Sequence, residues 1–100
     1  MNQQEIIKKA VEKAVENGWH ESEGALKSIN ISGLYDFIIH FDNCKILYSS
    51  YYDLLFNHDF TKALFGELRE DSGLREWQYH LQQLVILEDN EKIKYLKQFI

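Results

Sequence analysis

The chain has 100 residues, 45% of them hydrophobic and 14% aromatic, which fits a single domain with a core of its own and excludes a compositionally disordered chain. Its 11 basic and 16 acidic residues give a formal net charge of -5, and no basic cluster is present to grip a nucleic-acid backbone. The one cysteine, Cys44, excludes an intramolecular disulfide, and no apolar run approaches the ~20 residues of a membrane span.

Residues 3–16 place Ile6, Ile7, Ala10, Val11, Ala14 and Val15 on one stripe at a helical period. The opposite face interleaves Lys8, Lys9 and Lys13 with Glu5, Glu12 and Glu16, which reads as a solvated, self-paired surface. Such a charged amphipathic start is unlike a signal peptide, so a cytoplasmic protein is expected. Asn17-Gly18 should end this helix, because Gly readily takes the left-handed conformation of a C-cap, and Trp19 should fold back onto its last turn. Residues 20–33 read as a loop holding a short strand at 27–31; the triplet Asn30-Ile31-Ser32 matches a glycosylation sequon without a secretion signal to give it meaning.

Residues 35–41 alternate strictly, with Tyr35, Phe37, Ile39 and Phe41 on one side and Asp36, Ile38 and His40 on the other. Period two predicts a strand, and a buried helix is the alternative for so short a run. Asp42-Asn43 has turn chemistry, and residues 44–48 should return as a partner strand. Ser50-Tyr51-Tyr52-Asp53 resembles a capping box opening a helix through Leu54, Leu55 and Phe56. Asn57 or Asp59 should cap a second helical piece through Ala63, Leu64 and Phe65, which Gly66 then bends or loosens.

A turn is predicted at 71–73, then a helix over 74–87 with Trp77, Leu81, Leu84 and Val85 on its inward stripe. Asp89 or Asn90 should cap a last helix over 90–99, with Ile93, Leu96 and Phe99 or Ile100 as its buried line, so the C-terminal end should dock. The sum is an α+β fold: an N-terminal helix, a small antiparallel hairpin or three-strand meander, and about three C-terminal helices on one sheet face.

Candidate chemistry is sparse. There is no glycine-rich phosphate loop, no GxSxG and no paired catalytic carboxylate motif, and no cofactor is expected. The histidines His20, His40, His58 and His80 fit no metal-ligand spacing. Only Glu76 and His80, four apart on one helix, can share a face, so a hydrolase or nuclease built on His58, Asp59, Glu76 and His80 is an alternative that needs those groups to converge. Cys44, beside the hairpin turn, reads as a small half-buried residue; the alternative is a nucleophile, which needs a base, and His40 pairing across the hairpin near Cys44 or Lys45 is the candidate. The stretch 34–60 carries Asp36, Asp42, Asp53 and Asp59 against Lys45 alone, a balance suited to a basic partner, although a domain of net charge -5 is also simply soluble. Within it, Tyr48, Tyr51 and Tyr52 beside Asp53, together with Asp42, are the candidate protein-docking residues, because tyrosine brings contact area with a polar handle. The alternative for these aromatics, and the favoured one for Phe56, Phe60 and Phe65, is the core.

The segment His58-Asp59-Phe60-Thr61-Lys62-Ala63-Leu64-Phe65-Gly66-Glu67, then Trp77-Gln78-Tyr79-His80-Leu81-Gln82, then Lys94-Tyr95-Leu96 near the C-terminus resembles a loose group of small phage and prophage-type proteins. Those share an H-D-F-x-K-A-L-(W/F)-G-E box, a W-Q-x-H-L-Q segment and a terminal K-Y-L helix. The likeness spans roughly residues 54–97; the chain departs from it with Phe65 where Trp is common, and at Asn90-Glu91 where a proline is usual. The resemblance implies a mobile-element setting in a bacterial cytoplasm and supplies no catalytic residues. The expected function is therefore non-catalytic binding of a host or phage protein, with inhibition of a host defence or regulatory protein as one concrete form. A metal-dependent hydrolase and a self-assembling homo-oligomer are the alternatives.

Overall fold

A computed structural model of the chain describes residues 2–32, 35–68 and 74–100. The expected α+β order is observed. Helix α1 (Gln3–Glu16) and a 3-10 turn (Glu21–Glu23) precede three strands, β1 (Leu26–Ser32), β2 (Tyr35–Phe41) and β3 (Lys45–Ser50). Four helices follow: α2 (Tyr51–Leu55), α3 (His58–Leu64), α4 (Leu74–Ile86) and α5 (Asp89–Lys97). The strands form an antiparallel meander in the order β1-β2-β3. The alternative of a helix at 35–41 is overturned, and the partner strand expected at 44–48 runs over Lys45–Ser50. The turn expected at 71–73 lies outside the described residues, as does the Tyr35 side chain.

The N-terminal helix begins where Asn2 accepts the Glu5 N–H at 2.9 Å. It ends in a Schellman motif: Gly18 has φ +111, its N–H reaches the Val15 carbonyl at 3.0 Å, and the Trp19 N–H reaches that of Ala14 at 2.9 Å. That reversal drives Trp19 into the core at 1% exposure, edge-on to Phe60 with ring centroids 5.1 Å apart. The Asn17 side chain then donates to the Ala63 carbonyl at 2.7 Å, tying the end of α1 to the end of α3.

The pleat of β2 divides the sheet into two faces. Phe37, Ile39 and Phe41 are buried, and Ile29, Ile31, Ile46 and Tyr48 pack beside them against the helices. On the other face Ile38 is aligned with Asn30 and Leu47, and His40 with Ser28 and Lys45. A register shift between Ile31 and Ser32 coincides with Asp36 at φ +60, so β2 carries an extra residue there, the geometry of a bulge.

Ser50 caps α2 by accepting the Asp53 N–H at 3.4 Å. Asp53 accepts from Ser49 Oγ, so the expected capping box is realised only in its serine half. Asn57, not Asp59, caps α3, accepting the Phe60 N–H at 2.9 Å. A second Schellman motif ends α3: Gly66 (φ +87) donates to Ala63 O at 3.1 Å and Glu67 to Lys62 O at 2.7 Å. At α5 the cap position is Glu88, without a side-chain bond, and the helix starts at Asp89. Asp89 and Glu91 then sit in the first turn, where the helix dipole favours acids. Ile93 and Leu96 are buried, and Phe99 and Ile100 dock against the body of the protein.

Candidate functional site

The five residues expected to form a docking patch do not assemble into one. Tyr51 is 1% exposed, stacked on Tyr52 with centroids 4.3 Å apart, and its hydroxyl donates to the Asp89 carbonyl at 3.4 Å. It is a core residue because α2 turns its first position inward against β3. Tyr48 is half-buried on the core face opposite Phe37, and burial raises its pKa. Tyr52 is half-buried, with the Lys92 ammonium 5.7 Å from its ring centroid. Lys92 is itself buried and donates to the Leu87 carbonyl, closing the C-terminal end of α4. Asp53 is exposed but held by Ser49.

Asp42 lies at the opposite end of the β2–β3 hairpin and has structural work. Its Oδ2 accepts the Ala25 N–H at 2.8 Å, its own N–H reaches the Ala25 carbonyl at 3.0 Å, and Lys27 Nζ lies 3.4 Å from Oδ1. The Ala25 hydrogen bond first, and Lys27 second, hold its carboxyl below the usual range.

The histidines also scatter. His20, at φ +52, packs on Trp19 with centroids 4.5 Å apart, and His40 lies on the outer sheet face. His58 tilts over Trp77 at 5.1 Å. Among the described residues no three His, Cys, Asp or Glu side chains come together as a metal-ligand set. Cys44 is half-buried; burial, and then the neighbouring Glu23 carboxylate, raise its thiol pKa, which disfavours the nucleophilic thiolate.

His80 is the most elaborated titratable group. Its Nδ1 lies 2.7 Å from the Tyr95 hydroxyl and its Nε2 4.0 Å from Glu76. The ring is stacked on Phe65 at 4.5 Å and meets Phe99 edge-on at 4.8 Å. Burial lowers its pKa, and Glu76 opposes that shift. Only the Tyr95 contact is a hydrogen bond, Glu76 standing too far for one; aromatic rings hold the imidazole, and it acts as a cross-brace between α4 and α5.

Next to this brace, the second Schellman motif turns Glu67 inward to 8% exposure. That position normally carries an apolar residue packed on the helix end. Neither carboxylate oxygen of Glu67, nor the Trp77 indole nitrogen, has a hydrogen-bond partner among the described residues. Burial raises the Glu67 pKa, and the neighbouring Glu76 charge pushes it the same way.

The surface that sequence reading missed is the outward face of α4. Trp77 and Leu84 are buried on its inner side, while Tyr79, Val85 and Ile86 are 55%, 57% and 75% exposed. Val85 was expected on the inward stripe and is corrected to the outer flank. Tyr79, Gln82 and Ile86, at i, i+3 and i+7, stand one above another. Between residues 77 and 87 there is no Asp, Glu, Lys or Arg, and His80 points into the brace. That charge-free run was visible in the sequence and is the signal that marks this face. The outer sheet face also exposes Leu47, at 69%, but among His40 and Lys45. The groove of about 450 Å³ between α1 and β1 is open and lined by Lys8, Glu12 and Lys27. No described helix is long and apolar enough to cross a membrane. Compared with protein-family models, curated proteins and solved structures, the chain matches none.

Proposed function

We propose that this chain is a small non-catalytic accessory protein of phage or prophage type that acts by binding another protein. The observation that carries the reading is the α4 face, where Tyr79, Val85 and Ile86 stand 55%, 57% and 75% exposed within residues 77–87, a stretch with no Asp, Glu, Lys or Arg. Exposed apolar side chains on one helix are costly to leave in water, and aromatic anchors flanked by neutral polar groups are typical of contact surfaces. The binding surface is thus moved from the tyrosines of residues 48–52 to α4. Inhibition of a host defence or regulatory protein is the form such binding takes in this reading.

The test is capture from bacterial lysate on immobilised protein, comparing wild type with Ile86→Glu and Tyr79→Glu. A stoichiometric partner lost at least about fivefold by both substitutions is expected, since hot-spot truncations cost over 1 kcal/mol. A partner retained equally by all three proteins, or no partner, overturns the reading.

A further inference from the structure

The sheet has two edges, and β1 is one of them: among the described residues its one hydrogen-bonded neighbour strand is β2. In an antiparallel ladder every second residue turns its N–H and C=O away from the partner strand. Along Ser28–Ile31, where β1 and β2 pair without a register shift, two residues therefore hold backbone donors and acceptors outward. Edge strands are ordinarily blunted by lysine, proline or a bulge. On β1 such devices sit at the ends, as Lys27 and the register shifts at Leu26/Ser28 and Ile31/Ser32. Ser28-Ile29-Asn30-Ile31 between them carries no charge and no proline.

The open side of this strand is concave. The groove of about 450 Å³ is lined by four consecutive residues of β1, Leu26, Lys27, Ser28 and Ile29, and by Lys8 and Glu12 of α1. Leu26 and Ile29 pack on the core side of the sheet, while Ser28 is aligned with His40 on the outer side, so the groove follows the edge of the strand and not either face. An edge strand beside a helix, with a groove between them, is the geometry into which an extended peptide adds as a further strand. Leu26 and Ile29 are only half-buried, and apolar side chains of such a strand complete their burial. The other edge, β3, runs directly into α2, which packs on it.

Charge selects among possible strands. Lys27 faces Asp42 at 3.4 Å, whereas Lys8 has no carboxylate within ion-pair distance among the described residues. Residues 25–32 hold Lys27 and no acid, so β1 of a second copy brings Lys8 no partner. Glu12 on the same wall disfavours a run of acids and leaves room for one. We propose that the β1 edge receives an extended segment of another protein as a fourth strand, with apolar residues over Leu26 and Ile29 and an acidic residue at Lys8. This contact surface is separate from α4, and its test does not depend on the reading of that helix.

The probe is a blocked heptapeptide alternating valine with threonine and glutamate, titrated to about 5 mM into the isotope-labelled whole chain. Amide shifts and slowed hydrogen exchange should concentrate on Ser28–Ile31, with a dissociation constant on the order of 1 mM. The fully N-methylated peptide, which cannot donate to the edge, should bind at least about tenfold more weakly. Lys8→Glu should weaken binding about threefold or more, and Lys9→Glu should leave it unchanged. Both lysines are exposed, so both variants fold. No shift on β1, shifts centred on β3, or equal binding of the N-methylated peptide overturns the strand addition. Equal losses in Lys8→Glu and Lys9→Glu overturn the acidic contact. Shifts at Ser28–Ile31 that grow with protein concentration and ignore the peptide make a second copy the occupant, which also overturns the proposal.

Discussion

Gly24 adopts φ +85 and ψ -160, a region essentially reserved for glycine. A Cβ placed there would come within 2.6 Å of the Asp42 Cβ, which the Ala25 hydrogen bonds hold in place. Gly24→Ala should therefore lower stability by about 1–3 kcal/mol. In a domain of this size that is a fall in melting temperature of roughly 4–8 °C per kcal/mol, readable by circular dichroism. A melting temperature within a degree of wild type, on the order of an ordinary surface substitution, would refute the strain assigned to this turn. Asp42 itself was read in the sequence as turn chemistry and also as a docking residue. The turn reading was legible because Asp-Asn between two apolar runs has a local mechanism. Its bond to Ala25 spans 17 residues, and no local pattern encodes it. Tyr51 failed for the mirror reason: a tyrosine at the first position of a short helix has no period to say whether it faces in or out.

Among the elements, α4 shows where periodicity stops being informative. Its apolar residues spread over more than one helical face, so Leu81, Leu84 and Val85 can be drawn as one stripe although only Leu84 of the three is fully buried. What fixes the rotation of α4 is the His80 brace, made by residues from α5 and the C-terminus that sequence spacing could not bring together. The brace also makes this element pH-sensitive. Because burial lowers the His80 pKa, the folded state prefers the neutral ring. The His80 contribution is therefore fully present above the unfolded value of about 6.5 and is lost as pH falls through that value toward the lower folded one. His80→Phe keeps the aromatic stack on Phe65 and Phe99 and removes the titration. Wild type should lose stability between about pH 7 and pH 5, and the variant should lose less over the same interval. Urea midpoints at the two pH values decide it, and parallel losses would remove His80 from the account. By contrast α1 was legible in its span and its end, because its stripe and its Asn-Gly stop both act within a few positions.

At the scale of the whole molecule, one hydrophobic cluster runs from Ile6 on α1 through Phe37 and Ile39 on β2 to Leu96 on α5. The radius of gyration, 12.8 Å, is close to the ~13 Å of a compact 100-residue domain. A core that joins the first helix to the last cannot lose one of them without exposing the other, so unfolding should be cooperative. The two tryptophans test this from different places. Trp19 sits inside the cluster, edge-on to Phe60. Trp77 is buried on α4 between His58 and Lys62, whose ammonium lies 5.0 Å from its ring centroid, and it stands outside the main cluster. Leu84, nearer the other end of the same helix, belongs to that cluster and ties α4 to it. In Trp19→Phe and Trp77→Phe variants, the remaining fluorophore reports one site in each protein. Each protein's fluorescence and helical circular dichroism should give coincident urea transitions. If Trp77 fluorescence changes at lower urea than the helix signal of the same protein, the first half of α4 opens before the core. The contact face on α4 would then be carried by an element that detaches, and a rigid preformed surface would be the wrong description of how it binds.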